Sequence, residues 1–366
     1  MSTTTAETAA AGAVAMIADA TRRVPALIPI AAVLAAFIIG LLLIVATGAS
    51  LGQAISAFAQ GAFGTSYAIS VSLNRATVYA LVGIGFVLAA RAGLTNVGGE
   101  GQIAVGGIVA TAVALYGGVE NLPLGLAAII PVLAATIAGG LWGGLAGALK
   151  VKAGTNEVIS TLLLSFIAIW LVYWCVQSED LLRQPMTSAA TLPESAEIPF
   201  AAMLPLLTGS YAAPVTIGAL IAVVLAIVAA IVLARSTFGF RLNFVGLNPV
   251  AAARAGIPVE RTTMLALFLA GALGGLAGAI MLMGEQHSLK TGFSSGYGFD
   301  GLVVGLLARG RISGVIAGAL LFGFLRSGGI TMEMAAGVPT ALVQIVQGLI
   351  VISIAGAAYW MDRRTG

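Results

Sequence analysis

The sequence predicts an all-α polytopic membrane protein with about ten transmembrane helices, and two observations support this class. Of the 366 residues, 59% are hydrophobic and only 8% are charged, against about 25% charged in a typical soluble protein. The charged residues are also bunched, so that 24–74, 121–149, 198–234 and 262–284 contain no Asp, Glu, Lys or Arg. A soluble surface needs dispersed charge, whereas a helix that crosses about 30 Å of hydrocarbon needs roughly 20 apolar residues.

The chain begins with a polar arm. Residues 1–21 are small and polar, and we expect them to form a disordered cytoplasmic arm. The apolar stretch from Val24 to about Ala46 exceeds the roughly 7–15 apolar residues of a signal peptide, so it predicts an uncleaved first span. The transmembrane domain is expected to cover 22–362, which leaves a cytoplasmic tail at 363–366.

Nine further spans follow from the remaining apolar runs. The run at 298–308 is too short to cross a bilayer alone, so it predicts a half-helix. The expected spans are about 68–90, 101–118, 123–149, 156–177, 213–234, 262–284, 298–308, 312–330 and 338–360.

The basic residues give the orientation. With ten crossings and the N-terminus inside, 13 of the 17 Lys and Arg residues fall on the inner side, as cytoplasmic loops require. The expected external loop, 178–212, instead carries four acidic residues and one arginine. Both termini are therefore expected in the cytoplasm, with the chain in the plasma membrane.

Composition excludes several functions. One cysteine (Cys175) and one histidine (His287) allow neither a disulfide within the chain nor a multi-His metal cluster. No lysine lies in a GxxxxGK[ST] frame, so the chain has no P-loop, and we expect no cofactor or metal on it. The net charge is +3, but no cluster of Lys and Arg residues alternates with aromatic residues, which argues against binding of nucleic acid. Because the chain has no P-loop, the driving energy must come from an ion gradient or another polypeptide. A membrane enzyme is disfavoured separately, because no carboxylate pair, His cluster or nucleophile arrangement is present.

An internal repeat relates the two halves. RATVYAL at Arg75–Leu81 resembles RTTMLAL at Arg261–Leu267, and RAGLTNVGGEGQIAVGG from Arg91 aligns with KTGFSSGYGFDGLVVGL from Lys290. The two copies run in opposite directions in the predicted topology, and inverted repeats are typical of transporters. The alternative is chance similarity among 48 glycines. The many glycines within spans, such as GGLWGGLAGALK (139–150), predict close helix packing.

The polar segment at 91–102 interrupts an apolar region. It places Asn96, Glu100 and Gln102 among glycines, and an ionisable residue at membrane depth needs a cavity or a partner. One interpretation is a broken helix beside a translocation pathway. The other is a cytoplasmic loop in which Glu100 stabilises the N-terminus of the next helix.

Two further segments carry polar residues of interest. GYGFDGL (296–302) places Asp300 within one residue of the position that corresponds to Glu100 in the other repeat, with Phe299 beside it. TNEVIST (155–161) is typical of a helix start, capped by Thr155 or Asn156.

The longest inner polar stretch is 235–261, which we term the connector. It contains the short helix AAARAG between Pro249 and Pro258, and nearly thirty residues exceed what a plain link between spans needs. An amphipathic helix between two spans can bind a groove in a soluble partner and pass movement to the membrane. The alternative is an irregular basic loop.

These segments resemble a known family. GLNPVAAARAGI is similar to the coupling-helix loop of ABC importer permeases. Together with GLTNVGGEGQ, TNEVISTLLLSFIA and GYGFDGLVVGLLARGRISGVIAGALLFG, it resembles the branched-chain amino acid/ribose-type permease superfamily over residues 68–360. The triplet Glu100-Gly101-Gln102 is most similar to that of the nucleoside, or simple-sugar-annotated, permeases. Gly99 and Thr95 depart from that pattern, where alanine and an aromatic residue are common.

The resemblance implies a type II ABC importer permease fold and a set of partners. These are a cytoplasmic ABC ATPase that binds ATP and Mg²⁺, a second and often non-identical permease, and an extracellular substrate-binding lipoprotein. The expected pathway residues are Asn96, Glu100, Gln102, Phe299 and Asp300. The expected residues for coupling to the ATPase are Gly246, Asn248, Ala252, Arg254 and Gly256.

The leading hypothesis is the membrane subunit of an ATP-driven nucleoside importer. A ribose-type sugar permease is the nearest alternative. An ion-coupled secondary transporter with Glu100 and Asp300 as proton or sodium sites is another, although such a transporter needs no long inner segment like 235–261.

Overall fold

The computed structural model describes residues 27–123, 125–186 and 192–365, so the predicted arm at 1–21 lies outside the described residues. The described ranges form α-helices joined by turns, with isolated bridges and no strand. The helices are α1 (Leu27–Ala46), α2 (Leu51–Phe63), α3 (Ser66–Arg91), α4 (Gly99–Tyr116), α5 (Leu126–Ala153), α6 (Glu157–Gln177), α7 (Ile217–Arg235), α8 (Thr237–Leu247), α9 (Pro249–Arg254), α10 (Val259–Met281), α11 (Tyr297–Leu307), α12 (Ile312–Ala336) and α13 (Thr340–Thr365).

The helices confirm the predicted polytopic class. In the described part of the chain, seven helices are long and apolar enough to cross a membrane. Three shorter apolar helices, Leu34–Ala46, Tyr297–Leu307 and Thr340–Ser353, match the other three predicted spans. The half-helix expected at 298–308 is therefore present, one residue earlier at each end.

The chain forms two compact units. The smaller unit comprises the described residues up to Gly61 together with Gly328 onward. In it α1 packs against α13 where Gly40 contacts Val346, and Gly329 contacts Val343. The larger unit, Ala62–Ser327, contains both copies of the repeat and all the expected site residues.

Glycines allow the closest helix contacts in the larger unit. Gly139 and Gly143 of α5 face Gly271 and Gly275 of α10 so closely that a Cβ on any of the four would meet the opposite backbone. Such close approach maximises van der Waals contact between the helices, which drives their association in lipid because the hydrophobic effect does not act there. The packing role predicted for the glycine-rich run at 139–150 is confirmed.

The two repeats adopt inverted positions. Helices α3 and α10 pack antiparallel, since Arg75 contacts Glu285 at one end and Gly85 contacts Ala270 near the middle. The N-termini of α4 and α11 meet midway along α3, from which α4 runs toward one end of α3 and α11 toward the other. We call these ends the loop end, where residues 192–216 lie, and the connector end, where 235–261 lies.

Four elements differ from expectation. The predicted span 213–234 begins only at Ile217, because Leu206 and Leu207 pair with Val215 and Thr216 in extended backbone. The connector contains α8 as well as the expected short helix, with Ser236 as its N-cap. Helix α2 was not predicted, and α13 continues through most of the expected tail to Thr365.

Candidate functional site

Glu100 lies where the two half-repeats meet. It is in the first turn of α4, but its carboxylate binds the other half-helix: Oε1 accepts from the Gly296 amide at 2.8 Å and Oε2 from the Gly298 amide at 2.7 Å. The side chain is 3% exposed. Anionic acceptors stabilise a helix N-terminus, where amides lack partners and the dipole is positive. Glu100 therefore caps α11, across the repeat interface, and not its own helix.

Gly298 makes this contact possible. A Cβ there would overlap the backbone of Glu100, and one on Gly99 would lie 3.0 Å from the Gly298 carbonyl oxygen. The two half-helices thus meet head to head through glycine backbone. These glycines correspond to each other in the repeat.

The other polar residues of 91–102 hold the start of α4. Asn96 and Gln102 are buried, and their side-chain amides form two hydrogen bonds with each other, both at 3.2 Å. Asn96 Oδ1 also accepts from the backbone amide of Gly98 at 2.9 Å. Ser165 Oγ of α6 accepts from the Gly101 amide. Residues 92–98 form a turn between α3 and α4 and not a break within one helix, and the Asn96 and Gln102 side chains bind protein groups in that turn. A place beside a translocation pathway stays a prediction.

Asp300 occupies the equivalent first turn of α11. Its Oδ2 accepts from the Tyr79 hydroxyl at 3.2 Å, and the Tyr79 ring stacks on Tyr297 with centroids 4.9 Å apart. Asp300 and its neighbour Phe299 are only partly buried, unlike Glu100. Of the five residues expected in the pathway, these two keep accessible surface.

A polar cluster that sequence reasoning missed lies beside Tyr297. The Arg326 guanidinium lies 5.4 Å from the Tyr297 ring centre and donates to the Ser295 carbonyl at 3.2 Å. Arg75 and Glu285 pair at 3.4 Å, within electrostatic reach of the same ring. The signal was present in the sequence, because Arg75 and Arg326 are single charges within apolar runs. We define the polar cluster as Arg75, Glu285, Tyr297, Asp300 and Arg326.

The loop end is closed by extended backbone. Residues 195–204 run along 283–289, with the Ser195, Ile198 and Leu204 amides donating to the Leu289, His287 and Met283 carbonyls. Burial lowers the pKa of His287 in this layer, and the Glu197 carboxylate opposes that shift. Glu285 belongs to the π-helical turn Leu282–Gln286, a geometry frequent at functional sites.

The expected coupling residues divide into exposed and packed groups. Asn248 caps α9 by accepting from the Ala251 amide at 3.0 Å, and Asn248, Arg254 and Gly256 are exposed. Ala252 is fully buried and Gly246 packs on the backbone of Arg91. A partner protein can therefore reach Asn248, Arg254 and Gly256 directly, whereas the Ala252 side chain faces the chain's own interior. The part that these five residues play in coupling stays a prediction.

A cavity opens near the connector end of α3 and α11. Its volume is about 410 Å³, and it lies beside the turn 93–95 and the residues 305–310 that end the half-helix. In the part of the chain that the structure describes, no group of three or more His, Cys, Asp or Glu residues is placed to hold a metal ion.

Inverted half-helices that meet at buried polar groups define a polytopic transport protein. The family model described as "Branched-chain amino acid transport system / permease component" matches residues 68–355, and the chain belongs to this family. It is a permease component of an ABC transporter. No solved structure matches the chain.

Curated relatives cover nearly its whole length. The chain is 33% identical to the glucose ABC transporter permease protein TsgB13 of Haloferax volcanii, over 95% of this chain and 93% of that protein. It is 31% identical to the guanosine ABC transporter permease protein NupP of Bacillus subtilis, over 90% and 93%. It is 30% identical to the nucleoside ABC transporter permease protein NupB of Lactococcus lactis, over 92% and 91%.

Proposed function

We propose that this chain is the membrane permease of an ATP-driven importer for nucleosides. In this proposal a cytoplasmic ABC ATPase binds the connector and hydrolyses ATP, and a second permease completes the channel. A substrate-binding lipoprotein delivers solute at the loop end. The connector end and both termini face the cytoplasm of a bacterial cell, and the chain needs no cofactor of its own.

The two hydrogen bonds that Glu100 accepts favour ATP over an ion gradient as the energy source. An ion-coupled transporter needs a carboxylate that exchanges a proton or sodium ion with a water-filled path. Both carboxylate oxygens of Glu100 instead accept backbone amides, and the side chain is almost fully buried. A fixed helix cap cannot release its partners at each cycle, so the movement is better supplied by a soluble protein at the connector.

The polar cluster supports a neutral, hydrogen-bonding solute. It balances two guanidinium groups, Arg75 and Arg326, against the carboxylates of Glu285 and Asp300. Aromatic rings beside these groups suit a flat nucleobase, because offset stacking and edge contacts add to apolar burial. NupP and NupB transport, by their names, guanosine and nucleosides.

A neutral sugar is the second candidate. The relative with 33% identity is a glucose permease by name, and a sugar is also uncharged and rich in hydroxyl groups. The same polar cluster would serve either solute, so the choice depends on the aromatic surface.

Transport in proteoliposomes tests both proposals. The permease is reconstituted with its ATPase, second permease and binding protein, and uptake of labelled guanosine, uridine, glucose and ribose is compared with and without ATP. We expect nucleosides to accumulate only with ATP, and glucose not to compete at a hundredfold excess. Glucose uptake alone would favour the sugar permease. Sustained nucleoside accumulation driven by a proton gradient without ATP would refute the ATP-driven mechanism.

A further inference from the structure

Arg91 joins three elements at the connector end. It is the last residue of α3, and its guanidinium donates from Nη1 to Asn243 Oδ1 of α8 at 3.1 Å and from Nη2 to the Gly310 carbonyl at 2.7 Å. Gly310 lies three residues after the end of α11. One side chain therefore links the long helix, the connector and the half-helix that Glu100 caps.

The backbone beside Arg91 is equally close. A Cβ on Gly246 of α8 would overlap the Arg91 carbonyl and lie 2.8 Å from the Gly93 amide nitrogen. Gly93 has a φ of +73°, which strongly favours glycine, and that conformation turns the chain sharply under α8. The connector thus lies directly against the turn that leads to Asn96 and Glu100.

The half-helix α11 can carry movement from this end to the centre. Its eleven residues span about 16 Å, from the turn bound by Arg91 to the amides bound by Glu100. A hydrogen-bonded helix moves as a rod, so a shift of Gly310 displaces Asp300 and Gly298. The same shift changes the mouth of the 410 Å³ cavity, which Gly93 and Gly310 both line.

We infer that Arg91 is the positioning residue that transmits connector movement to the central half-helices. Both acceptors are neutral oxygens, so the link depends on the forked geometry of arginine, which reaches two acceptors at fixed angles. Lysine can bind only as a point charge and cannot hold both acceptors in that geometry. This inference rests on the proposed ATP-driven function.

Uncoupling of transport from ATP hydrolysis tests the inference. Arg91→Met and Asn243→Ala are compared with wild type and with Lys152→Met, which removes an exposed cation from the same end. We expect both test variants to co-purify with the ATPase and to hydrolyse ATP within about twofold of wild type, while solute moved per ATP falls at least tenfold. Arg91→Lys should recover only part of this ratio, and Lys152→Met should match wild type.

The contrary results are distinct. Loss of protein, ATP hydrolysis and uptake in parallel, in both Arg91→Met and Asn243→Ala, would mean that the link is merely structural and would overturn the inference. An unchanged ratio of solute to ATP in Arg91→Met would also overturn it. If wild type itself shows no ATP-dependent uptake, the proposed function fails instead.

Discussion

Replacing Glu100 should destabilise the junction of the half-helices. In Glu100→Ala, the Gly296 and Gly298 amides lose their acceptors at a buried position. Each unsatisfied buried donor costs about 1–3 kcal/mol, and loss of an anion at a helix N-terminus adds up to about 2 kcal/mol. Together these terms predict a loss of about 2–8 kcal/mol in the free energy of unfolding. Glu100→Gln, which keeps one acceptor oxygen but no charge, should lose about half as much.

Thermal unfolding of the purified permease in one detergent measures this loss. A change of 1 kcal/mol shifts the Tm of a large domain by on the order of 2 °C, so Glu100→Ala should melt about 4–16 °C lower. Glu120→Gln is the matched control, because Glu120 is exposed in a short surface turn. Its Tm should stay within about 1 °C of wild type, as surface substitutions usually change stability little.

The reasoning is refuted by one pattern of results. If Glu100→Ala keeps the wild-type Tm but abolishes uptake, the carboxylate acts on the solute or on an ion and not on α11. A lower Tm in Glu100→Ala with an intermediate value in Glu100→Gln supports the cap.

Three further predictions concern other contacts. Gly106→Ala should lower the free energy of unfolding by about 1–3 kcal/mol, because the added Cβ would overlap the Gly275 backbone. Gly348→Ala is the control and should not destabilise the protein, because a Cβ at Gly348 meets open space. Equal Tm values for the two variants in thermal scans would contradict the predicted clash. Asn74→Ala removes the hydrogen bonds to the Pro214 carbonyl and from the Thr216 amide, so limited proteolysis of residues 192–216 should accelerate about tenfold. An unchanged proteolysis rate would show that these two hydrogen bonds do not hold the segment in place. Arg254→Glu, at an exposed site, should abolish co-purification of the ATPase while the Tm of the permease stays constant; retained ATPase would disprove the coupling surface.

Sequence patterns predicted the features that local chemistry determines. Uninterrupted apolar length located the long spans and the half-helix at 298–308, because hydrocarbon thickness sets helix length. The short helix expected between Pro249 and Pro258 is α9, which starts at Pro249 and is capped by Asn248, a local signal that sequence reasoning did not use. Helix α8 had a similar cap in Ser236, but its mixed polarity resembled a loop.

The function of the polar residues in the centre could not be predicted from spacing. Glu100 and its amide partners lie almost 200 residues apart, and only the inverted packing of the two repeats brings them together. Sequence patterns offered Glu100 as a stabiliser of the N-terminus of α4, whereas its carboxylate forms hydrogen bonds at the N-terminus of α11. Arg91 was assigned only to a membrane side, because its acceptors on α8 and after α11 are also distant in sequence.

The head-to-head junction constrains where alternating access can arise. Pulling the half-helices apart by even a few ångströms would leave a buried carboxylate and two amides without partners, which is costly in hydrocarbon. The two half-helices must therefore stay joined and move together through the cycle. Opening toward either face must then change other helix contacts. The contact between α5 and α10 is one of these, because the two helices meet there through glycine backbone and not through polar side chains.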